Sequence, residues 1–350
     1  MPTLYLIYFI IGLALLFDFL NGFHDAANSV ATVITTRVLS PFVAVFWAAF
    51  FNFVAAFVFG TGVAKTISNN LIDPHIVDIY VVLGGVLGAI VWNIITWLLA
   101  LPTSSSHAII SGYAGAAIAK SGFTAILIKG WIPIFEFLIL SPIIGMVLGY
   151  VLMVTVNWLT RGVERHRGER WFRHLQLFSA GSYSLMHGTN DAQKTMGIIV
   201  ALLVAGGKKE WATGNVQLFG HKHEIAVWII LSCHTAMALG TMAGGWRIVR
   251  TMGSRITPHL RPVSGFCAEI AAAITIFLAT FAKVPISTTH AIGGGIAGVG
   301  ATRGVHAVRW VWGQRILVAW VMTFPCAGLI GSIAYFLVHW LVEPMFHHGM

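Results

Sequence analysis

Four polar stretches in an otherwise apolar chain hold the side chains able to do chemistry. Asp25 and Asn28 lie in Gly22-Phe23-His24-Asp25-Ala26-Ala27-Asn28, and Asp191 and Lys194 lie in Gly188-Thr189-Asn190-Asp191-Ala192-Gln193-Lys194. Both copies place an acid three residues after a glycine, and an amide or amine three residues after that. A second pair follows the same order: Pro102-Thr103-Ser104-Ser105-Ser106-His107 and Pro285-Ile286-Ser287-Thr288-Thr289-His290. Two polar interruptions repeated in one order are an internal duplication, and the function is expected where the four meet.

On a helix turning about 100° per residue, Asp18, Asn21, Asp25, Asn28 and Thr32 fall within an arc of roughly 80°. His187, Asn190, Asp191 and Lys194 span roughly 100° by the same count. A charge at the centre of a bilayer costs about 2.5–3.5 kcal/mol, so acids and a lysine at matched repeat positions point to a binding or coupling role. A single Asn or Thr would be read as glue between helices. The Ser/Thr segments suit a different task. A proline ends one helix and starts the next, and the hydroxyls of Ser104, Ser105, Ser106, Ser287, Thr288 and Thr289 then gather with free N–H groups at a positive helix start. One copy alone would be an N-cap. Two inverted copies meeting midway describe a site for a tetrahedral oxyanion. His107 and His290 are candidate proton carriers or hydrogen-bond donors at that site. Their glycine-rich tails, Gly112 and Gly115 in one copy and Gly293, Gly294, Gly295 and Gly298 in the other, should let helices approach closely.

The elements that must position these groups follow from composition. Only 9% of residues are charged and 57% are hydrophobic, against roughly 25% charged in a soluble domain. Mean hydropathy is +0.82. The chain is therefore expected to be an all-α polytopic membrane protein of about 10–12 transmembrane helices. The net charge of +9 reflects Lys and Arg in short loops, not a basic stripe for nucleic acid. Cys233, Cys267 and Cys326 read as small apolar residues. No metal site, cofactor or enzymatic activity is expected: His-Glu-x-x-His is absent, and Ser106-His107 are only neighbours in sequence. A cation channel would call for acidic rings.

Apolar segments fall near 3–36, 41–64, 78–101, 102–120 and 130–158, then 177–206, 225–246, 263–283, 284–302 and 313–342. This predicts a first inverted repeat over 1–158, an Arg-rich cytoplasmic loop over 159–176, and a second repeat with a C-terminal span over 177–350. The segments 3–36 and 177–206 exceed the roughly 20 residues a span needs, and each is expected to break or tilt at its polar motif. Those starting at Pro102 and Pro285 are short enough to be re-entrant hairpins. Arginines crowd the central loop and those near 247–261 and 303–315, which places these loops in the cytoplasm and both termini outside. Lys208, Lys209 and Lys222 then face outside. Five crossings separate the N-terminus from the central loop, so the Asp25 segment runs inward and the Asp191 segment outward.

These motifs resemble those of the inorganic phosphate transporter (PiT) family, which carries a duplicated Gly-x-[Asn/His]-Asp-x-x-[Asn/Lys] signature and Pro-x-Ser-[ST]-[ST]-His segments. The likeness covers nearly the whole chain, with one departure, Thr103 before the serines of the first copy. It implies cation-coupled, alternating-access uptake of inorganic phosphate, with Asp25, Asn28, Asp191 and the Ser/Thr loops lining the site. Sodium-coupled members carry Asn where Lys194 stands. The chain is more similar to bacterial Pit-type permeases, which implies proton coupling in the inner membrane and uptake largely as neutral metal–phosphate complexes. A fixed ammonium one turn from Asp191 can take the place of a sodium ion, leaving Asp25 as the titrating group. Sodium coupling, and sulfate as the transported oxyanion, are the alternatives. Sulfate only accepts hydrogen bonds, whereas phosphate can donate one to a carboxylate. A homodimer is left open as the oligomeric state.

Overall fold

In hydrocarbon the long apolar runs can satisfy their backbone groups only within themselves, and they form helices. The computed structural model describes residues 2–218 and 221–347. The first half contains α1 (Pro2–Thr35), α2 (Pro41–Val54), α3 (Gly62–Asn70), α4 (Ile79–Leu98), α5 (Ser105–Ser121) and α6 (Ile128–Leu159). The second contains α7 (Arg165–Ala205), α8 (Lys209–Ala212), strands β1 (Thr213–Leu218) and β2 (His221–Ile225), α9 (Val227–Ala243), α10 (Trp246–Arg250), α11 (Pro262–Phe281), α12 (Thr288–Ala301) and α13 (Trp310–His347). The order repeats. Helices α1 and α7 carry the acidic motifs, α2/α3 and α9/α10 are bent pairs, α4/α5 and α11/α12 are two-helix excursions, and α6 and α13 close each half.

Among the described residues, five helices are long and apolar enough to cross a membrane, or up to seven if each bent pair is one span. The other expected segments are present as helices with a different character. Helix α7 is rich in buried polar groups, and α5 and α12 have only 17 and 14 residues. A paired antiparallel β1–β2 ribbon between α8 and α9 has no counterpart in the sequence reading.

The breaks expected in α1 and α7 do not occur. Both helices continue unbroken through their motifs, because neither has an interior proline and the motif side chains find partners without disturbing the backbone. The chain bends instead by 76° between α2 and α3 and by 62° between α9 and α10. Each bend falls on glycines, Gly60 and Gly62 in one case and Gly244 and Gly245 in the other, with Gly244 at φ +68. The stretch expected as an Arg-rich loop is also mostly helix. Helix α7 already begins at Arg165, where Arg and Glu favour helix and Arg165 pairs with Glu169 one turn on.

Contacts fix which ends share a face. One face joins Tyr8 of α1 to Trp211, Lys65 of α3 to Glu224, and Lys120 of α5 to Asp78 before α4 (2.6 Å). The opposite face joins Arg173 to the Arg37 carbonyl, Arg261 to Glu169, and Arg303 to the Pro258 and His259 carbonyls. Helices α4 and α5 leave and return on the lysine face. Helices α11 and α12 do so on the arginine face, so neither excursion changes the parity of the chain. Helix α1 thus runs from lysine face to arginine face, and α7 runs the other way. The side chain of Lys222 lies outside the described residues.

Close crossings hold the motif helices. A Cβ on Gly22 of α1 would strike the Met237 carbonyl of α9, and one on Gly240 of α9 the Phe19 carbonyl of α1. In the other half, a Cβ on Gly188 of α7 would meet the Asn52 backbone of α2 at 2.7 Å. Each half's first helix therefore packs on the other half's second. The glycine tails act as expected too: Gly294 and Gly298 of α12 lie against α6, and Gly115 of α5 against Gly328 of α13.

Candidate functional site

The four motifs converge at the seam between a lysine-side core (Ile7, Ile10, Ile67, Leu202) and an arginine-side core (Val30, Met252, Ile276, Ile292). Asp25, Asn28, Asp191, Lys194, Ser104, Ser105, Ser106, Ser287, Thr288 and Thr289 are all buried there. Their hydrogen bonds follow a two-fold pattern. Within each half, a hydroxyl donates to that half's acid: Ser105 Oγ to Asp25 Oδ1 at 3.4 Å and Thr288 Oγ1 to Asp191 Oδ2 at 3.2 Å. Across the halves, the last residue of each signature donates to the other half's hydroxyl. Asn28 Nδ2 reaches Thr289 Oγ1 at 2.9 Å, and Lys194 Nζ reaches Ser106 Oγ. Lys194 also binds Asp191 Oδ1 (2.5 Å) and the Ile286 carbonyl (2.7 Å).

Ser104 and Ser287 also serve the backbone, and their hydroxyl hydrogens stay available to donate. Each is the N-cap of its helix, accepting from the backbone N–H of His107 or His290 at 3.2 Å. This orients α5 and α12 with their starts toward the seam. The hydroxyls there are engaged with the acids, the amide and the ammonium, so the donors form a connected polar network. His107 and His290 face each other with ring centroids 5.0 Å apart. His290 stacks on Trp320 of α13 and His107 lies against Phe324, so both stand at the edge of the network.

Asp25 has His24 Nδ1 at 3.0 Å. Across from it, His187 Nε2 lies 3.3 Å from Asp191 Oδ2. Asp25, His187 and Asp191 bring ligand atoms within 4.8 Å of one another, an arrangement able to hold a cation. The tautomer of His187 is set by its neighbours. Thr241 Oγ1 donates to the Met237 carbonyl and so accepts from Asn52 Nδ2, which turns Asn52 Oδ1 toward His187 Nδ1 at 3.2 Å. Nδ1 must donate there. A neutral ring then points the Nε2 lone pair at the Asp191 carboxylate, and two acceptors confront each other until a proton or cation lies between them.

Residues 21–331 match the Phosphate transporter family. The chain belongs to that family. It is 50% identical over 327 residues to a probable low-affinity inorganic phosphate transporter of Rhizobium meliloti (strain 1021), covering 93% of this chain and 95% of the relative. It is 45% identical over 328 residues to one of Bacillus subtilis (strain 168), at 93% and 95% coverage. These relatives are named as transporters, not enzymes. The fold is similar to a solved structure titled "The sodium-dependent phosphate transporter", with TM-score 0.83 at 20% identity, over 97% of this chain and 100% of that one.

Three participants in this family member were not among the site residues expected from sequence. His187 stood in the polar stripe, but its partner Asn52 sits in the aromatic run of α2 with nothing to mark it. Gln193 bonds the Gly60 carbonyl (2.8 Å) and the Val63 N–H (2.9 Å), satisfying backbone groups freed at the α2–α3 bend. Glu269, a lone acid in an alanine-rich helix, is buried and accepts from Thr32 (2.6 Å), Gln176 (3.0 Å) and Ser179. It joins α1, α7 and α11 on the arginine side of the site.

Proposed function

We propose that the chain is a secondary symporter that imports inorganic phosphate by alternating access, driven by protons. The observation that carries this reading is the crossed pairing of the network. Asp25–Ser105 and Asp191–Thr288 tie each acid to its own half, while Asn28–Thr289 and Lys194–Ser106 tie the halves together. A tetrahedral anion entering between the two helix starts takes over hydroxyl and ammonium donors that now hold the halves to each other. The proposed phosphate ligands are Asp25, Asn28, Ser104, Ser105, Ser106, Asp191, Lys194, Ser287, Thr288 and Thr289. Asp25 and Asp191 favour phosphate over sulfate, because a protonated phosphate donates to a carboxylate.

Charge balance supports the coupling. Moving one negative charge against an inside-negative potential costs about 2.3 kcal/mol per 100 mV. A phosphate monoanion therefore needs more than one co-transported positive charge, and a neutral metal–phosphate complex needs only one. Lys194 already supplies Asp191 with a cation, which favours a proton over sodium as the coupling ion, carried among Asp25, Asp191, Lys194, His107 and His290. The proposed placement is the bacterial inner membrane, with the arginine face in the cytoplasm and both termini outside. The test is radiolabelled phosphate uptake into proteoliposomes, with proton and sodium gradients imposed separately and Mg²⁺ present or absent. Accumulation under the proton gradient alone is expected. Accumulation that requires sodium overturns the coupling, and none under either gradient overturns the substrate.

A further inference from the structure

Among the described residues, four acids are buried in the helical bundle: Asp18, Asp25, Asp191 and Glu269. Three have partners that account for a carboxylate. Asp25 has His24 and Ser105, Asp191 has Lys194 and Thr288, and Glu269 has three donors. Asp18 is different. It is 0% exposed, and neither of its oxygens is in hydrogen-bond geometry with anything. Beside it stand Asn21 and, across the helix interface, Thr195 of α7 and Cys233 of α9. Asn21 Oδ1 and Thr195 Oγ1 are buried and unpaired as well. The donors beside it are all neutral, the Thr195 hydroxyl, the Asn21 amide and the Cys233 thiol, and among the described residues no cation is paired with it, so a bare carboxylate there costs heavily in a dry interior. One proton on Asp18 resolves it, because the carboxylic acid can donate to Asn21 Oδ1 or Thr195 Oγ1. A hard cation suits the place less well, since one side of it is the Cys233 thiol.

Position gives that proton a use. Asp18 precedes Asp25 by seven residues on the unbroken α1, which puts it about 10 Å nearer the lysine face. Thr195 lies just past Lys194 on α7, on the same side. The ionisable groups facing Asp18 are Asp191 and Lys194 of α7 and Cys233 of α9. His24 and Asp25 follow on its own helix, and His234 follows Cys233. Helix α2 brings no ionisable side chain, and α4 brings only Tyr80 at its outer end.

We propose that Asp18 carries a coupling proton, taken up from the lysine face and released when the carrier opens to the arginine face. This rests on the proton-coupled reading above and adds to it a group outside the phosphate ligands. Asp18 gains the proton as a neutral acid, returns it to water as a carboxylate, and makes no contact with phosphate.

The experiment compares the wild-type protein with Asp18→Asn and Asp18→Glu in proteoliposomes, by two assays on each. Asp18→Asn is expected to keep phosphate–phosphate counterflow at equal pH and to lose accumulation driven by a pH gradient. Asp18→Glu should recover that accumulation. Gradient-driven accumulation by Asp18→Asn with wild-type pH dependence overturns the role of Asp18 and leaves proton coupling standing. Wild-type uptake that ignores the pH gradient overturns the parent reading, and this one with it. Dicyclohexylcarbodiimide labelling of the wild-type protein, mapped by mass spectrometry, needs no variant to fold. Labelling of Asp18 that declines as pH rises is expected, and an unlabelled Asp18 at mildly acidic pH overturns the proposal.

Discussion

Lys194 is the residue at which the two halves differ most. Its counterpart Asn28 makes one contact across the halves, to Thr289, whereas Lys194 makes that contact to Ser106 and also neutralises Asp191. Removing one partner of a buried ion pair costs about 3–5 kcal/mol, mostly as the penalty on the charge left behind. The substitution Lys194→Asn keeps an amide for Ser106 and strips Asp191 of its cation. The variant is expected to melt at lower temperature in sodium-free buffer and to recover on adding sodium, since a ligand bound only by the folded state stabilises it. Its phosphate uptake should become sodium-stimulated at fixed pH. Melting curves and uptake across a sodium series measure both. A variant indifferent to sodium in both assays shows that Lys194 does not stand in for that ion.

At the scale of elements, side-chain rules do not suffice, because a helix crossing is set by what the backbone permits. Gly22 and Gly240 meet the carbonyls of Met237 and Phe19, and a valine at Gly22 must push α9 away from α1. Gly12, on the same helix, has nothing within 4 Å of a built Cβ. Gly22→Val should therefore lose monodisperse protein in detergent, at a cost of order 3 kcal/mol or more for overpacking, while Gly12→Val should behave as wild type. Size-exclusion profiles of the two decide it, and equal profiles would show that the α1–α9 crossing yields. The same distinction explains what could be read beforehand. The polar stripes were legible because a period of 3.6 puts Asp25 and Asn28 on one face, and the duplication was legible because its motifs recur in order. The continuity of α1 and α7 was not. Their signature residues looked like interruptions, yet Asp25, Asn28, Asp191 and Lys194 find partners through their side chains, and the bends went to the glycines at 60–62 and 244–245. Nor could one sequence show that Asn28 pairs with Thr289 rather than with its own half's Ser106. That choice depends on how two excursions from opposite faces meet, which no local pattern encodes. Asn52 and Glu269 stayed hidden because an isolated polar residue carries no period.

For the whole molecule, the faces decide the direction of transport. One face carries arginines from Arg37 to Arg315, in loops and helix ends, and the other carries Lys65, Lys120, Lys208 and Lys209. The cytoplasmic bias of basic residues counts both types, so the arginine face, with far more of them, should be retained inside. That placement sets Asp18 between the outside and the proposed phosphate ligands, and Glu269 with Thr32, Gln176 and Ser179 between those residues and the cytoplasm. A proton reaching Asp18 from outside then enters the cycle on the side where the proton gradient is high, as an importer requires. Reversed, the same residues would load protons from the cytoplasm and drive phosphate out. Single cysteines decide the orientation in a background lacking Cys233, Cys267 and Cys326. In intact cells stripped of their outer membrane, Lys209→Cys should react with a membrane-impermeant maleimide, and Arg167→Cys should react only after permeabilisation. The opposite pattern would turn the carrier over, and with it the sense in which a proton on Asp18 can do work.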